Sequence, residues 1–127
     1  MIPFKNRFHG HSSLKYVYKN GQVIRCQSMT IKYVANSHRN QSRIAVVISK
    51  KTLKSAVRRN RIRRRIYEHI RTKIILFSKV YDIAIIVTSS DLINLSPLEM
   101  SQQIDKLLTQ SGIIGLHKTN KPVPKKL

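Results

Sequence analysis

The most informative stretch of the chain is residues 43–73, RIAVVISKKTLKSAVRRNRIRRRIYEHIRTK. Its first seven residues, Arg43–Ser49, form a β-branched run that is typical of a central strand. Ser55 can then cap a long helix that runs to about Lys73. The apolar residues of this helix recur every four positions as a single stripe, Ile62, Ile66, Ile70 and Ile74. A strand followed by a long one-sided helix is therefore the centre of the predicted fold.

The sequence before this stretch predicts a short helix and further strands. Leu14, Val17 and Tyr18 share one helical face, and Gly21 closes that segment. The segment Val23–Val34 alternates between apolar and polar residues with a change of phase, which indicates a bulge or two short strands.

The sequence after the stretch predicts one more strand and one more helix. Tyr81–Thr88 has the composition of a buried strand, and Ser96-Pro97-Leu98-Glu99 has the spacing of a helix capping box with proline at the first helical position. The resulting order is helix, two or three strands, helix, strand, helix. It predicts an α+β fold, a single α/β sandwich with one central sheet of about four strands covered by helices.

The length and composition fit one small domain. At 127 residues and 41% hydrophobic, the chain can bury a core, and we expect a basic arm over residues 1–11, a folded domain over 12–114 and a basic disordered tail over 115–127. No apolar run approaches the roughly 20 residues of a bilayer span, and residues 1–10 contain no apolar signal segment. The lone Cys26 is expected to be a plain buried thiol, and the cytoplasm is the expected compartment.

The charge of the chain points to a polyanionic partner. Twenty-five Lys and Arg residues against five Asp and Glu give a formal net charge of +20, which draws the molecule to nucleic acid or to an acidic membrane surface. Residues 1–67 hold seventeen cations and no carboxylate. Glu68 is the single acid of the long helix, so the cationic side chains of this helix repel one another unless an anion binds. This favours nucleic-acid binding over a merely solvated charged face.

Helical geometry divides the cations of the long helix into two groups. Arg59, Arg63 and Tyr67 form a ridge beside the isoleucine stripe, with Asn60 at its outer edge. This ridge is predicted to be one wall of a groove between helix and sheet that could hold an extended strand. The second group points to solvent and suits a folded polyanion, because guanidinium groups bind phosphate in bidentate fashion. Its members are Arg58, Arg61, Arg64, Arg65 and Arg71.

Tyrosines offer stacking platforms for single-stranded nucleic acid. Tyr18, Tyr33 and Tyr67 are the better candidates, whereas Tyr16 and Tyr81 are expected to pack in the core. The histidines are scattered without a zinc spacing, no glycine-rich loop precedes a helix, and the five acids are too dispersed for a two-metal cluster. We therefore predict no catalytic acid, base or nucleophile in this polypeptide.

Residues 56–64, AVRRNRIRR, preceded by residues 47–51, VISKK, resemble the signature of the bacterial ribonuclease P protein component. The likeness extends over about residues 7–112. Three positions depart from the family pattern. Lys54 stands where the family usually has glycine, Tyr67 replaces a usual arginine, and Thr88 stands where an arginine commonly ends the last strand.

The resemblance implies the element order α-β-β-β-α-β-α with a left-handed βαβ crossover, against the usual right-handed rule. It implies the protein subunit of an RNA-based endoribonuclease that removes the 5′ leader from precursor tRNA. The chemistry, and most of the Mg²⁺, would then belong to the RNA subunit, and a metal site on the protein stays open. The expected partners are that RNA and precursor tRNA, without a membrane or an obligate protein partner.

Helical geometry and the resemblance together give two sets of candidate residues. The RNA-binding set is Lys50, Lys51, Arg58, Arg59, Asn60, Arg61, Arg63, Arg64 and Arg65. The set expected to line a cleft for the single-stranded leader is Leu14, Tyr18, Tyr33 and Tyr67. Two alternatives stay open: a basic ribosomal or other structural RNA-binding protein explains the charge equally well, and a DNA-binding regulator is the second.

Overall fold

The chain, as a computed structural model, is described for residues 11–37 and 40–114. The expected arm, apart from residue 11, and the expected tail lie outside these ranges. The helices and strands follow the predicted order: α1 (His11–Asn20), β1 (Gln22–Arg25), β2 (Met29–Ala35), β3 (Arg43–Ile48), α2 (Ala56–Arg71), β4 (Tyr81–Val87) and α3 (Pro97–Ser111). Two 3₁₀ turns, Ile74–Leu76 and Ser90–Asn94, flank β4.

The four strands form one mixed sheet in the spatial order β1-β2-β4-β3. The pairs β1–β2 and β2–β4 are antiparallel, and β3–β4 is parallel. Because β3 and β4 are parallel neighbours, α2 is the crossover that joins them. The α+β sandwich is thus confirmed, and the phase change before β2 separates two strands. The left hand of the crossover stays a prediction.

The position of β3 differs from the prediction. Arg43–Ile48 is an edge strand, and β4 takes the central place between β2 and β3. All residues of β3 except Val47 are nevertheless buried. Helix α2 packs against this strand, and Arg43, at its start, is paired with Asp82 of β4. A strand with few exposed residues is β-branched at the edge of a sheet as well as at its centre, so composition did not separate the two.

The strand registers divide the side chains of the sheet between two faces. Met29, Ile31 and Tyr33 point to one face, where they join the isoleucines of α2 and the apolar residues of α3 in the main core. The alternate residues, such as Lys32, point to the opposite face. Helix α1 lies on that face, against β2 and β4, with Val17 fully buried. The sheet is therefore sandwiched between α1 and the pair α2 and α3.

Helix α2 forms for the reasons predicted from its sequence. The Ser55 hydroxyl accepts a hydrogen bond from the backbone N–H of Arg58 at 3.3 Å, which caps the first turn. The stripe Ile62, Ile66 and Ile70 is buried. The helix ends at Arg71, two residues earlier than predicted.

The ends of the other helices are fixed by local contacts. At the start of α3, the capping box is present in both directions, and the bond from the Ser96 backbone N–H lowers the pKa of Glu99. Gly112 ends α3 in the left-handed region at φ 84°. Gly21 ends α1 for another reason, since a Cβ there would lie 2.5 Å from the carbonyl oxygen of Val17.

Candidate nucleic-acid interface

The outward side of α2 carries four exposed arginines that we call the outer arginine face: Arg58, Arg61, Arg64 and Arg65. They are exposed as helical periodicity predicted. Within residues 11–37 and 40–114, none of the four has a carboxylate within ion-pair distance. Arg71, which was assigned to the same group, differs because its guanidinium contacts Glu68 at 3.2 Å. The outer arginine face is thus a cluster of uncompensated positive charge.

The other side of α2 carries Arg59, Arg63 and Tyr67, which we call the inner ridge. One terminal nitrogen of Arg59 donates to the carbonyl oxygens of Leu53 and Lys54 at 2.7 and 2.9 Å. These two bonds fasten the loop that enters α2, at the position where Lys54 departs from the family pattern. The guanidinium groups of the inner ridge are therefore engaged inside the chain.

Arg63 and Tyr67 close the free edge of β3. The Nε of Arg63 donates to the carbonyl oxygen of Val46 at 3.4 Å. The Tyr67 hydroxyl accepts from the N–H of Val46 at 3.3 Å and donates to the carbonyl oxygen of Ile44 at 3.5 Å. An edge strand leaves such backbone groups unpaired, and α2 supplies side chains that bond them.

The groove predicted between α2 and the sheet is therefore absent from the described residues. Tyr67 is 7% exposed and packs in the core, so it offers no free ring to a base. Asn60, at the outer edge of the ridge, is exposed and accepts a hydrogen bond from Arg63 at 2.9 Å. The prediction of an extended-strand groove at this place is wrong, because the side chains that were to line it fill it.

The four residues expected to line the leader cleft do not share one surface. Leu14 and Tyr18 lie on α1, where the Lys32 ammonium sits 5.1 Å from the centre of the Tyr18 ring. Burial raises the pKa of Tyr18. Tyr33 and Tyr67 are buried on the opposite side of the sheet.

Tyr33 belongs to the core for a reason that the sequence contained. It alternates in phase with Ile31, so both side chains point to the face covered by α2 and α3. Its hydroxyl donates to the carbonyl oxygen of Ser111 at 3.4 Å, and its ring meets Tyr81 edge to face with centroids 6.0 Å apart. Burial, and next the neighbouring Tyr81, raise the pKa of Tyr33.

The surface beside Tyr18 contains residues that were not singled out from the sequence. We call it the open sheet face, and it comprises Val23, Arg25, Thr30, Lys32, Val47 and Ile86. All six are at least partly exposed, and Val23 is 43% exposed. Apolar side chains stand next to cations there, a combination that suits the bases and phosphates of a single strand. Their opposite phase to the core residues was the signal that could have found them.

A buried ion pair was also missed. The guanidinium of Arg43 donates two hydrogen bonds to the Asp82 carboxylate, at 2.9 and 2.8 Å, and the Asn36 amide donates a third at 2.8 Å. The bond with Asp82 raises the pKa of Arg43. Both side chains are nearly inaccessible, so Arg43 joins β3 to β4 and cannot offer its charge to a ligand.

The remaining candidates lie on the surface or in the core as follows. Lys50 and Lys51 are exposed in the turn after β3. Tyr81 is buried as predicted, whereas Tyr16 is 57% exposed and the core assignment for it is wrong, because Val17 and not Tyr16 is the α1 residue that is buried against the sheet. Cys26 is half-buried rather than buried. Among the described residues, no helix is long and apolar enough to cross a membrane.

The fold and these surfaces define a small basic α+β protein with two cation-bearing faces, one on a helix and one on a sheet. Sequence comparison then identifies the family. The ribonuclease P family model matches residues 2–112, and the chain belongs to this family. The resemblance seen in residues 56–64 is thereby confirmed, and family membership places the chain in tRNA processing.

Relatives and solved structures agree with this assignment. The ribonuclease P protein component of Prochlorococcus marinus strain SARG is 26% identical over 126 residues, which cover 88% of this chain and 98% of the relative. That of strain AS9601 is 34% identical over 84 residues, or 58% of this chain and 66% of the relative. The RNase P proteins of Staphylococcus aureus and Thermotoga maritima, each 20% identical, have the same fold. The TM-score is 0.78 for the first, over 87% of this chain and 98% of that one, and 0.73 for the second, over 82% and 96%.

Proposed function

We propose that this chain is the protein subunit of a bacterial ribonuclease P, and that it assists the catalytic RNA in removing the 5′ leader from precursor tRNA. The observation that carries the proposal is the outer arginine face, four uncompensated guanidinium groups on one helix of a chain that matches the family over residues 2–112. The proposed complex lies in the cytoplasm and needs no membrane or further protein.

The outer arginine face is the proposed contact with the RNA subunit. Its guanidinium groups make no ion pair within residues 11–37 and 40–114, so phosphates can bind them without breaking an existing contact. Exposed Lys50 and Lys51, in the turn after β3, and exposed Asn60 on α2 are further proposed RNA contacts. Each phosphate neutralised releases condensed counterions, which drives assembly at low salt. Arg59 and Arg63 contribute chiefly by holding the helix in place.

The leader is proposed to lie on the open sheet face beside α1. Tyr18 borders this face, because the ammonium group of Lys32 on β2 lies 5.1 Å from the centre of its ring. Half-buried Leu14 lies one helical turn before Tyr18 on α1. Aromatic and apolar surface can stack the bases of a single strand without selecting a sequence, and the neighbouring cations hold its phosphates. Tyr33 and Tyr67 have no direct part in this contact, since both are buried on the other side of the sheet.

The protein is proposed to act by charge and position. The described residues contain no group of three His, Cys, Asp or Glu side chains that could hold a metal ion. Mg²⁺ is assigned to the RNA subunit in this proposal. The cations of the protein screen the repulsion between RNA subunit and substrate, and the open sheet face holds the leader.

Reconstitution tests the proposal. The chain is added to a bacterial ribonuclease P RNA at low Mg²⁺, and cleavage of precursor tRNA is measured with and without it. We expect the protein to increase cleavage. No increase would contradict the proposal and favour a ribosomal or other structural RNA-binding protein, whereas equal affinity for duplex DNA and for precursor tRNA would favour a DNA-binding regulator.

A pair of tyrosine variants tests where the leader binds. Tyr18→Ala is expected to weaken binding of precursor tRNA about tenfold, through lost stacking, with little effect on mature tRNA. Tyr16→Ala is the matched control, because Tyr16 is exposed on the same helix but does not contact Lys32 in the way Tyr18 does. Equal losses for precursor and mature tRNA in Tyr18→Ala would contradict the assignment.

A further inference from the structure

Two adjoining hollows lie along the outward side of α2, where α3 and the 3₁₀ turn Ser90–Asn94 approach it. The first, about 380 Å³, is lined by Arg58, Arg61, Ile62, Arg65, Ile93 and Asn94, and we call it the arginine hollow. The second, about 460 Å³, lies between α2 and α3, and we call it the interhelical hollow. Arg65 lines both, so the two hollows meet at this side chain.

The chemistry of the arginine hollow suits a phosphate. Three of its lining side chains are guanidinium groups, and none of its described lining residues is acidic. Asn94 brings an amide from a second element of the fold to the same place. Several planar donors that converge on one small space match the oxygens of a phosphate group.

The interhelical hollow suits a different chemical group. Its floor is apolar, with Met100 and Ile104 buried and Pro97 beside them. Its rim carries the Glu68 carboxylate, which is paired with Arg71 at 3.2 Å and repels a phosphate. A carboxylate accepts several hydrogen bonds, so Glu68 can also accept one from the amino group of a base while it is paired. Arg64 also stands on the rim, and a guanidinium plane can stack on a base. A flat, mostly apolar ring with polar edges therefore fits this hollow better than an ion does.

We propose that one unpaired nucleotide of the RNA partner occupies the two hollows together, with its base in the interhelical hollow and a neighbouring phosphate in the arginine hollow. The proposal rests on the proposed function in one respect, that the partner is RNA. The stretches of α2 that line the two hollows are centred about 10 Å apart at a rise of 1.5 Å per residue, a distance that a base and a phosphate next to it can span. A base inside an A-form duplex is not available for such insertion, because side chains reach mainly unstacked bases.

Three short RNA hairpins test this inference by their affinity for the full chain. The first carries a single bulged adenosine, the second carries an abasic residue at the bulge, and the third has no bulge. The abasic hairpin retains the phosphate and the flexibility of the bulge and lacks only the base. We expect the adenosine bulge to bind about tenfold more tightly than the abasic bulge, in the range of one base stacked in a protein site. Equal affinity for the three hairpins would overturn the inference.

Two methionine substitutions in α3 test whether the adenosine base binds in the interhelical hollow. Ser101 lines the interhelical hollow, so Ser101→Met fills part of it on a half-exposed helical position. It is expected to abolish the preference for the adenosine bulge and to leave affinity for the abasic hairpin unchanged. Gln102→Met is the matched control, because Gln102 is exposed on the same helix and is not among the described residues that line the hollow.

The variants also separate this inference from the proposed function. Thermal melting of both variants is measured first, to establish that each is folded. A persistent preference for the adenosine bulge in Ser101→Met would overturn the assignment of the base to this hollow. Reconstituted cleavage at low Mg²⁺ tests the proposed function by itself. A chain that prefers the adenosine bulge but does not stimulate cleavage would contradict only the proposed function. A chain that stimulates cleavage without this preference would contradict only the inference about the two hollows.

Discussion

Consecutive arginines on α2 differ in their hydrogen-bond partners and in their exposure. Arg63 donates to the Val46 carbonyl of β3 and to Asn60, whereas Arg64 is exposed on the outer arginine face. A turn of 100° per residue places one against the sheet and the next toward solvent. A run of like charges along a helix is therefore not one surface. On α2, the outward arginines can take up a phosphate without giving up bonds that hold the fold, whereas Arg63 cannot.

Arg43 shows most clearly how an arginine can stabilise the fold instead of binding a ligand. Its guanidinium and the Asp82 carboxylate are 11% and 4% exposed, and two hydrogen bonds join them. Arg43, Arg59 and Arg63 each donate to β4, to the loop that leaves β3 or to β3 itself. Substitutions that remove these contacts should lower stability, whereas substitutions on the outer arginine face should not.

Removal of the Asp82 carboxylate should have the largest effect on stability. Asp82→Ala leaves the Arg43 guanidinium buried without this carboxylate, which is expected to lower the free energy of unfolding by about 3–5 kcal/mol. Urea denaturation measures it. Asp91→Ala is the control, since Asp91 is an exposed acid whose loss changes the net charge equally and should cost less than about 0.5 kcal/mol. Similar losses for the two variants would mean that charge, not the buried pair, sets the effect.

Removal of the Tyr67 hydroxyl should have a smaller effect. Tyr67→Phe keeps the ring in the core but leaves the Val46 N–H and the Ile44 carbonyl without this partner, at an expected cost of about 1 kcal/mol. Tyr16→Phe, at an exposed tyrosine, should change the free energy of unfolding little. If Tyr67→Phe is as stable as the wild type, the hydroxyl does not protect the edge of β3.

The pair Arg63→Ala and Arg64→Ala tests the comparison at adjacent positions. Arg63→Ala should lower the free energy of unfolding by about 1 kcal/mol, through lost hydrogen bonds and lost packing of its stem. Arg64→Ala should change it by less than about 0.5 kcal/mol and should weaken binding to the RNA subunit more than Arg63→Ala does. Denaturation and a binding titration on the same two proteins measure both quantities. The reverse pattern would contradict the division of α2.

Much of the fold could be predicted from local patterns. The isoleucine stripe, the capping box at Ser96 and the phase change before β2 each depend on residues close together in sequence, and each is present in the structure. The place of β3 at the edge depends on the pairing of β4 with both β2 and β3, which no local pattern encodes. The sequence therefore predicted the local elements of the fold but not the pairing of strands that are distant in sequence.

The candidate site was predicted less completely, for two different reasons. Tyr33 was misplaced although its alternation with Ile31 gave its direction, so the information was present in the sequence. The contact of Tyr67 with the backbone of β3 joins residues 21 and 23 positions apart, and only the packed structure brings them together. The same holds for the bond between Arg43 and Asp82. Exposure of the outer arginines, in contrast, follows from helical periodicity alone.

The salt dependence of binding to the RNA subunit is the sharpest test of whether the outer arginine face binds RNA while the inner ridge holds the fold. A triple variant, Arg58→Gln, Arg61→Gln and Arg64→Gln, removes three charges of the outer arginine face while the inner ridge remains. The slope of log affinity against log salt should become shallower by about 2–3, since each lost phosphate contact removes roughly 0.7–0.9, and the free energy of unfolding should not fall. An unchanged slope, or a loss of stability as large as that of Asp82→Ala, would contradict the account.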